Sequence, residues 1–359
     1  MTLDLTLVQD GGLGWLDASG PQSNIVLSTR IRLARNLREV PFATRAGVAD
    51  RRRVLELVES AWHGSPSARG GVRLLIEDLD PTERVLLHER HLVSKELLGQ
   101  GEGGSRECSA VLLAGRLGVM VNEEDHLRLQ TLQSGLALPQ AYTELERLDS
   151  ELGRTLPFAF HPEFGYLTAC PTNAGTGLRA SVLIHLPGLV LTKEISKVLQ
   201  GLTQVGLTFR GLYGEGSEVV GNFFQLSNQT TLGKSEEELL DHLGKIVRQV
   251  VQYEEQARQI LLRDARTIIE DKVWRAYGTL RYARSLSFEE CMNYLSGVRL
   301  GVGLNLIPGL SVYTLNKLLV FTQPAHLASV DPRASSDADL RSSRAGYVRR
   351  LLEEEAGAA

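Results

Sequence analysis

The stretch CPTNAGTGLR, residues 170–179, decides how the rest of the chain is read. Gly175 and Gly177 stand two apart, and residues 166–170 and 180–186 on either side have strand character. Glycine permits backbone geometry closed to larger residues. The loop's amides, with its threonine hydroxyls, can therefore line an anion, and Arg179 can close on it. Cys170 opens the loop. As a lone cysteine it reads either as a small buried hydrophobe or, with its pKa lowered by cationic neighbours, as a reactive thiolate.

Three further segments place charge in unusual patterns. In STRIRLARN, residues 28–36, Arg30 and Arg32 fall on the same face of a strand, because strand side chains alternate. Two guanidinium groups so placed repel unless carboxylates or polyphosphate oxygens join them, and both readings fit. In NEEDHLR, residues 122–128, three consecutive acids end an apolar run and Arg128 follows. That pattern is either a solvated turn or a carboxylate set to meet a cation while Arg128 faces phosphate. A magnesium role for one acid is also open. In RGLYGEGS, residues 210–217, Arg210 and Glu215 flank a glycine-rich loop. It reads as a surface hairpin or as a loop that closes over a substrate.

Composition narrows the function classes. The 359 residues carry 39 Lys plus Arg against 43 Asp plus Glu, a formal charge of −4. A general nucleic-acid binder is not expected. Only seven of the cations are Lys, and the other 32 are Arg. Composition alone favours biased genomic usage as the reason over selection for bidentate anion recognition. Cys108, Cys170 and Cys291 are odd in number and far apart, without a CxxC pair, so no disulfide framework and no structural zinc site is expected. The opening residues lack a basic-then-apolar leader, and no apolar run reaches 18 residues. These features predict a cytoplasmic address and no membrane span.

Several familiar patterns fail on spacing. LGKS at 232–235 resembles the end of a phosphate loop, but Asn228 stands where the first glycine is needed. His88 and His91 are three apart, not four as in HExxH zinc sites. GLYGEG at 211–216 misses GxGxxG.

Residues 1–235 mix short apolar strands with Gly-rich turns. Strands are expected at 24–33, 206–212 and 222–227, a hairpin at 109–121 turning at Gly115 and Arg116, and helices at 51–62 and 139–152. The elements do not alternate in a βαβ rhythm, which suits an antiparallel sheet backed by helices. From Ser235 the texture becomes helical: Ser followed by three acids caps a long amphipathic run. Further helices are expected at 271–284, 287–297, 312–320 and 338–355. The fold class expected is α+β: an antiparallel sheet flanked by helices over residues 1–235, then a helical domain over 236–359.

Taken together, VLSTRIRLARN, VNEEDHLR, CPTNAGTGLRASV and FRGLYGEGSE resemble the phosphagen (guanidino) kinase superfamily, and within it the bacterial protein arginine kinases. The match is specific over residues 20–235 and weaker over the helical tail. The resemblance implies a guanidino-kinase catalytic fold, ATP and Mg²⁺ as cofactors, and phosphoryl transfer to a guanidinium nitrogen. It places Arg30, Arg32, Arg128, Arg179 and Arg210 on nucleotide phosphates. It makes Glu124 the base and guanidinium contact, Glu215 the second substrate carboxylate, and Cys170 a thiol beside the substrate. Leu183 departs from the pattern: creatine kinases place a histidine near the nucleotide base there. The small helical N-terminal domain of the small-molecule kinases is expected to be missing, since the STRIR strand is reached by Ser28; that would leave room for a side chain on a protein. Arg341 and Arg344, three apart on one helix face, resemble an RxxRA segment that forms an allosteric phosphoarginine site; periodicity alone reads them as a solvated basic helix. The implied partners are unfolded or misfolded proteins marked for degradation, a zinc-containing activator, an AAA+ protease system and further copies of the chain. The alternatives are a free-arginine kinase, an inactive regulatory adaptor and a nucleic-acid module, the last disfavoured by net charge and adjacent acids.

Overall fold

The computed structural model describes residues 13–43, 45–99, 107–212, 219–331 and 336–358. Its centre is an eight-stranded antiparallel sheet. In chain order the strands are β1 (Val26–Arg35), β2 (Val72–Leu75), β3 (Ala110–Ala114), β4 (Leu117–Val121), β5 (Leu127–Ser134), β8 (Leu178–His185), β9 (Leu207–Arg210) and β10 (Phe223–Asn228). A separate hairpin pairs β6 (Phe160–His161) with β7 (Gly165–Tyr166). The spatial order is β2-β3-β4-β5-β1-β8-β10-β9, so β1 is central and pairs with β5 and β8.

Alternation along the central strands sorts the residues. Ile31 and Leu33 of β1, Leu127 and Leu129 of β5, Ala180 and Val182 of β8 and Leu226 of β10 share one face and one apolar core. Five helices contribute to that core: α1 (Val48–His63), α3 (Leu138–Gly153), α4 (Pro187–Leu191), α5 (Ile195–Gln204) and α6 (Glu236–Asp264). The α6 helix starts where its residues require. Ser235 accepts from the Glu238 amide and the Glu238 carboxylate from the Ser235 amide, a reciprocal cap on a first turn of three acids. Leu239, Leu243, Val247 and Val250 then recur at helical spacing against the sheet. The change of texture at Ser235 thus marks where strands stop, and the change of core comes at the far end of α6.

The second core joins α7 (Arg266–Tyr282), α8 (Phe288–Gly303), α9 (Val312–Phe321) and α11 (Asp337–Ala358). It also takes in Leu27, Leu183 and Phe223 from the sheet. A third cluster packs α2 (Pro81–Glu89) and residues 92–98 on Val111, Leu113 and Met120. The hairpin turn at Gly115 and Arg116 falls where expected. The strand expected over 166–170 does not: pairing stops at Tyr166, because the chain then turns into a short 3₁₀ segment, Pro171–Asn173. No helix among the described residues is long and apolar enough to cross a membrane.

Candidate active site

The sheet face away from the first core carries the arginines. In the β1–β8 ladder Arg32 stands opposite Arg179, and Arg30 opposite Ser181. Arg128 of β5 stands opposite Ala34, and Gln130 opposite Arg32. Across β8 and β10, Leu183 is opposite Gln225, which is opposite Arg210 of β9. Opposed residues share a face, so Arg30, Arg32, Arg128, Arg179 and Arg210 all project to the same side. Apolar residues rim this face. Leu132 packs with Trp15, Leu16 and Val320 of α9, and Leu183 belongs to the second core. The C-terminal helices therefore meet the arginine face at Leu132 and at Leu183, both toward the start of β1, and where creatine kinases have a histidine this chain has a packed leucine.

Arg30 and Arg32 feel the like charges around them. Burial pulls the Arg30 pKa down to about 10, with Arg179 and Arg128 adding to it. Arg32 is pushed well down by burial and then by Arg30, Arg128 and Arg179. The Arg32 Nε has no hydrogen-bond partner among the described residues, and Arg30 donates to Gln225 Oε1 at 3.2 Å. Buried like charges are unfavourable alone and favourable around an anion.

The acidic turn meets the arginines at Arg128. Its guanidinium contacts Glu123 Oε1 at 2.5 Å and Glu124 Oε2 at 2.8 Å. Burial alone would lower the Arg128 pKa, but these two carboxylates hold it above its ordinary value. Glu123 is fully buried, bonds Ser94 and accepts from the Glu124 amide at 2.7 Å. Asp125 Oδ1 accepts from the Asn36 side-chain amide and the Ala169 amide, while its buried Oδ2 has no hydrogen-bond partner among the described residues. His126 accepts from the Leu37 amide at Nδ1 and reaches the Pro41 carbonyl through Nε2. Of this turn only Glu124 is substantially open, with its side chain 40% exposed. Burial raises the Glu124 pKa, Arg128 lowers it, and Asp125 and Glu123 raise it further.

Asn173 connects the turn to the glycine loop, its amide 3.4 Å from Glu124 Oε2. Cys170 lies at the start of the same loop, half-buried, with Sγ 3.0 Å from Thr172 Oγ1. Four of the loop's amides are already engaged, against the expectation from its glycines that they line an anion. Those of Asn173, Ala174, Gly175 and Thr176 donate to the carbonyls of Cys170, Pro171, Tyr166 and Thr231. The glycines serve close approach instead. A Cβ on Gly177, at φ +65°, would lie 2.6 Å from the Ala34 carbonyl oxygen, and one on Gly175, at φ +103°, 2.4 Å from that of Thr231.

Arg35 occupies the opposite face from Arg30 and Arg32. It is buried, ion-paired to Asp149 of α3 at 2.7 Å, bonded to the Thr176 carbonyl and stacked on Tyr166 at 3.5 Å. It fastens the loop to the helix layer. Glu123, Asn173 and Gln225 also belong to the site, although the sequence did not single them out. Strand alternation would have placed Gln225 beside Arg210 only once the β9–β10 pairing was known. Glu215 lies outside the described residues.

The comparisons agree with this geometry. Residues 53–257 match the model of the ATP:guanido phosphotransferase C-terminal catalytic domain, and residues 266–358 match that of the protein-arginine kinase McsB C-terminal domain. The protein-arginine kinase of Pelotomaculum thermopropionicum is 44% identical over 353 residues, 98% of each chain. The chain belongs to the protein-arginine kinase family. The family's enzyme from Symbiobacterium thermophilum is 46% identical over 343 residues, 94% of this chain and 96% of that one. The fold is that of guanidino kinases. A lombricine kinase crystal structure superposes with a TM-score of 0.57 at 23% identity, covering 67% of this chain and 70% of that one. The duplicated taurocyamine kinase of Schistosoma mansoni, with transition-state-analogue components bound, gives 0.58 at 25% identity, covering 71% and 35%.

Within that family frame, Arg341 and Arg344 stand apart from the arginine face, on α11, which packs on α7, α9 and α10, the last spanning Pro324–Val330. Arg344 is buried and donates to the carbonyls of Thr322 and Leu286, whereas Arg341 is open and paired to Asp337 at 2.7 Å.

Proposed function

We propose that this protein-arginine kinase family member transfers the γ-phosphoryl group of ATP to a guanidinium nitrogen of an arginine side chain in a protein. The observation that carries the reading is one sheet face of five arginines with an open carboxylate of raised proton affinity, Glu124, beside it. Arg30, Arg32, Arg179 and Arg210 take the nucleotide's phosphate oxygens. Arg128, already held by two carboxylates, sets Glu124 against the transferring group.

Guanidinium is a poor nucleophile, since its pKa exceeds about 12 and its lone pairs are delocalised. Glu124 accepts one N–H proton as that nitrogen attacks phosphorus in line. The N–P bond forms, the bond from phosphorus to the β,γ-bridging oxygen breaks, and ADP leaves with the electron pair. Asn173 holds Glu124 from the loop side. Glu215 orients the cation, and Cys170 polarises it without a covalent intermediate. Among the described residues no three His, Cys, Asp or Glu side chains converge as a metal cage. Magnesium fits this chain as an ion carried on nucleotide phosphates and water, with Glu124 the open carboxylate of the acidic turn beside the arginine face. When bound, it supplies charge neutralisation at the β- and γ-phosphates.

The same reading extends to phosphoarginine as a mark for degradation, to a zinc-containing activator and an AAA+ protease system, and to assembly with further copies. A phosphoarginine-responsive site on α11 would use the open Arg341 as its anion contact and Arg344 as its fixed scaffold. ADP release that needs a denatured, arginine-rich protein and disappears in Glu124→Gln supports the reading. ADP release with free arginine and none with the protein moves the substrate to the small molecule.

A further inference from the structure

Behind the glycine loop lies an open cleft of about 350 Å³, between the β6–β7 hairpin and the start of α6. Phe160, Phe164 and Leu232 line it, at 52%, 46% and 53% exposure. Exposed large apolar residues usually occur singly, and three on one concavity form a patch. The floor includes the backbone of Gly165 and Gly175, and the Gly175 amide and carbonyl are paired with the carbonyl and amide of Tyr166. An apolar side chain packed over Gly175 therefore strips water from no unpaired backbone group there. The rim is acidic: among the described lining residues Glu163, Glu236 and Glu238 stand against the single cation Lys234.

The cleft shares a wall with the reaction centre. Thr231, a lining residue of the cleft, shares its one hydroxyl proton between the carbonyls of Thr172 at 2.9 Å and Ala174 at 2.6 Å. Asn173, between those two residues, reaches Glu124 on the other side at 3.4 Å. A chain seated in the cleft lies one loop's thickness from the base.

We propose that this cleft docks the part of a substrate polypeptide that flanks the target arginine, taking a large apolar side chain on its floor and a basic residue at its rim. The proposal rests on the protein-arginine reading and names what that substrate presents. The charge of the rim selects the occupant, because a segment that carries the reacting arginine is locally cationic. The apolar floor selects segments whose hydrophobic residues are accessible, as in unfolded chains. Its volume, near the lower end of the range for small-ligand pockets, suits one or two side chains and not a folded surface.

The test uses two fluorescein-labelled peptides with one arginine each, one flanked by Phe and Lys and the other by Ser and Asp. The full-length chain is compared with Phe164→Ser/Leu232→Ser and with Glu163→Lys. The apolar substitutions should raise KM for the Phe/Lys peptide about tenfold or more, the worth of one lost buried apolar contact. They should leave kcat and the Ser/Asp peptide unchanged. Glu163→Lys should weaken the Phe/Lys peptide and improve the Ser/Asp one. Equal kcat/KM for both peptides with the unsubstituted chain, or unchanged KM in the double variant, overturns the proposal. So does a change of oligomeric state in that variant by sedimentation, which would assign the cleft to a second copy. Fluorescence anisotropy of the same peptides without ATP reads docking independently of turnover. Peptide binding lost in the double variant, with no phosphorylation by either form, would uphold the docking site and refute the kinase reading.

Discussion

Arg32 and Arg179 are register partners across the β1–β8 ladder, two cations opposed on the central strands of one sheet. Like charges directly opposite weaken a ladder, and Arg30 and Arg128 project to the same face. An anion held between them relieves that repulsion. Replacing Arg32 by Gln should raise the melting temperature of the ligand-free protein, by roughly 1 kcal/mol of stability. The same change should weaken ATP binding about 10- to 100-fold, the worth of a hydrogen bond to a charged group. Thermal shift with and without ATP reads both, and a loss of ligand-free stability would show that these arginines are not strained.

Glu124→Gln should cut turnover by about 10²–10⁴-fold, the usual contribution of a general base, while nucleotide binding persists. The pH profile gives a second check. The base works deprotonated, and burial raises the Glu124 pKa, with Arg128 opposing and Asp125 and Glu123 adding. The acid limb of kcat/KM should accordingly lie above the ordinary carboxylate range. Arg128→Gln removes the opposing cation, so its limb should move higher still. ADP release is the right readout, because acid hydrolyses the P–N product. A limb that moves down in Arg128→Gln would remove Glu124 from this role.

The Arg35–Asp149 pair predicts a structural phenotype. Asp149→Ala leaves a cation buried among the Tyr166 ring and carbonyl groups. It should cost about 3–5 kcal/mol in urea unfolding, while Arg35→Met/Asp149→Leu restores much of the loss. A single variant as stable as the parent would mean that the loop is not fastened there.

Glu89 ties α2 to the C-terminal helices. Its carboxylate accepts from the amides of Ala325 and His326 and bonds His326 Nδ1 at 2.8 Å. Arg90 donates to His326 Nε2 at 3.0 Å, which fixes the proton on Nδ1. Glu89→Ala should cost about 2 kcal/mol and speed amide exchange in α10. Unchanged exchange there would show that the contact does not hold the two parts together.

Much of this was legible from the residues alone. Period-two spacing put Arg30 and Arg32 on one face, and the Gly115–Arg116 turn and the Ser235 cap lie where local chemistry demands. The roles that depend on distant partners were not legible. Arg35 is structural because Asp149, 114 residues on, reaches it, and nothing in STRIRLARN distinguishes it from its neighbours. Arg344 is fixed by carbonyls from two other segments. The spacing of Gly175 and Gly177 fits an anion nest as well as close packing. Only the carbonyls of Tyr166 and Thr231 decide that the amides are already taken. The helix after Ser235 reads as the start of a new unit, yet its apolar stripe completes the sheet's core, which periodicity cannot reveal.

Transfer of phosphate to an arginine nitrogen on a protein can be read in one experiment: the purified chain, Mg-ATP and a denatured arginine-rich protein, followed by mass spectrometry of peptides kept at neutral pH. Phosphate should appear on arginine side chains of the substrate and be absent when Glu124→Gln replaces the parent. Unmodified protein beside phosphorylated free arginine, or labelling that persists in Glu124→Gln, would contradict it.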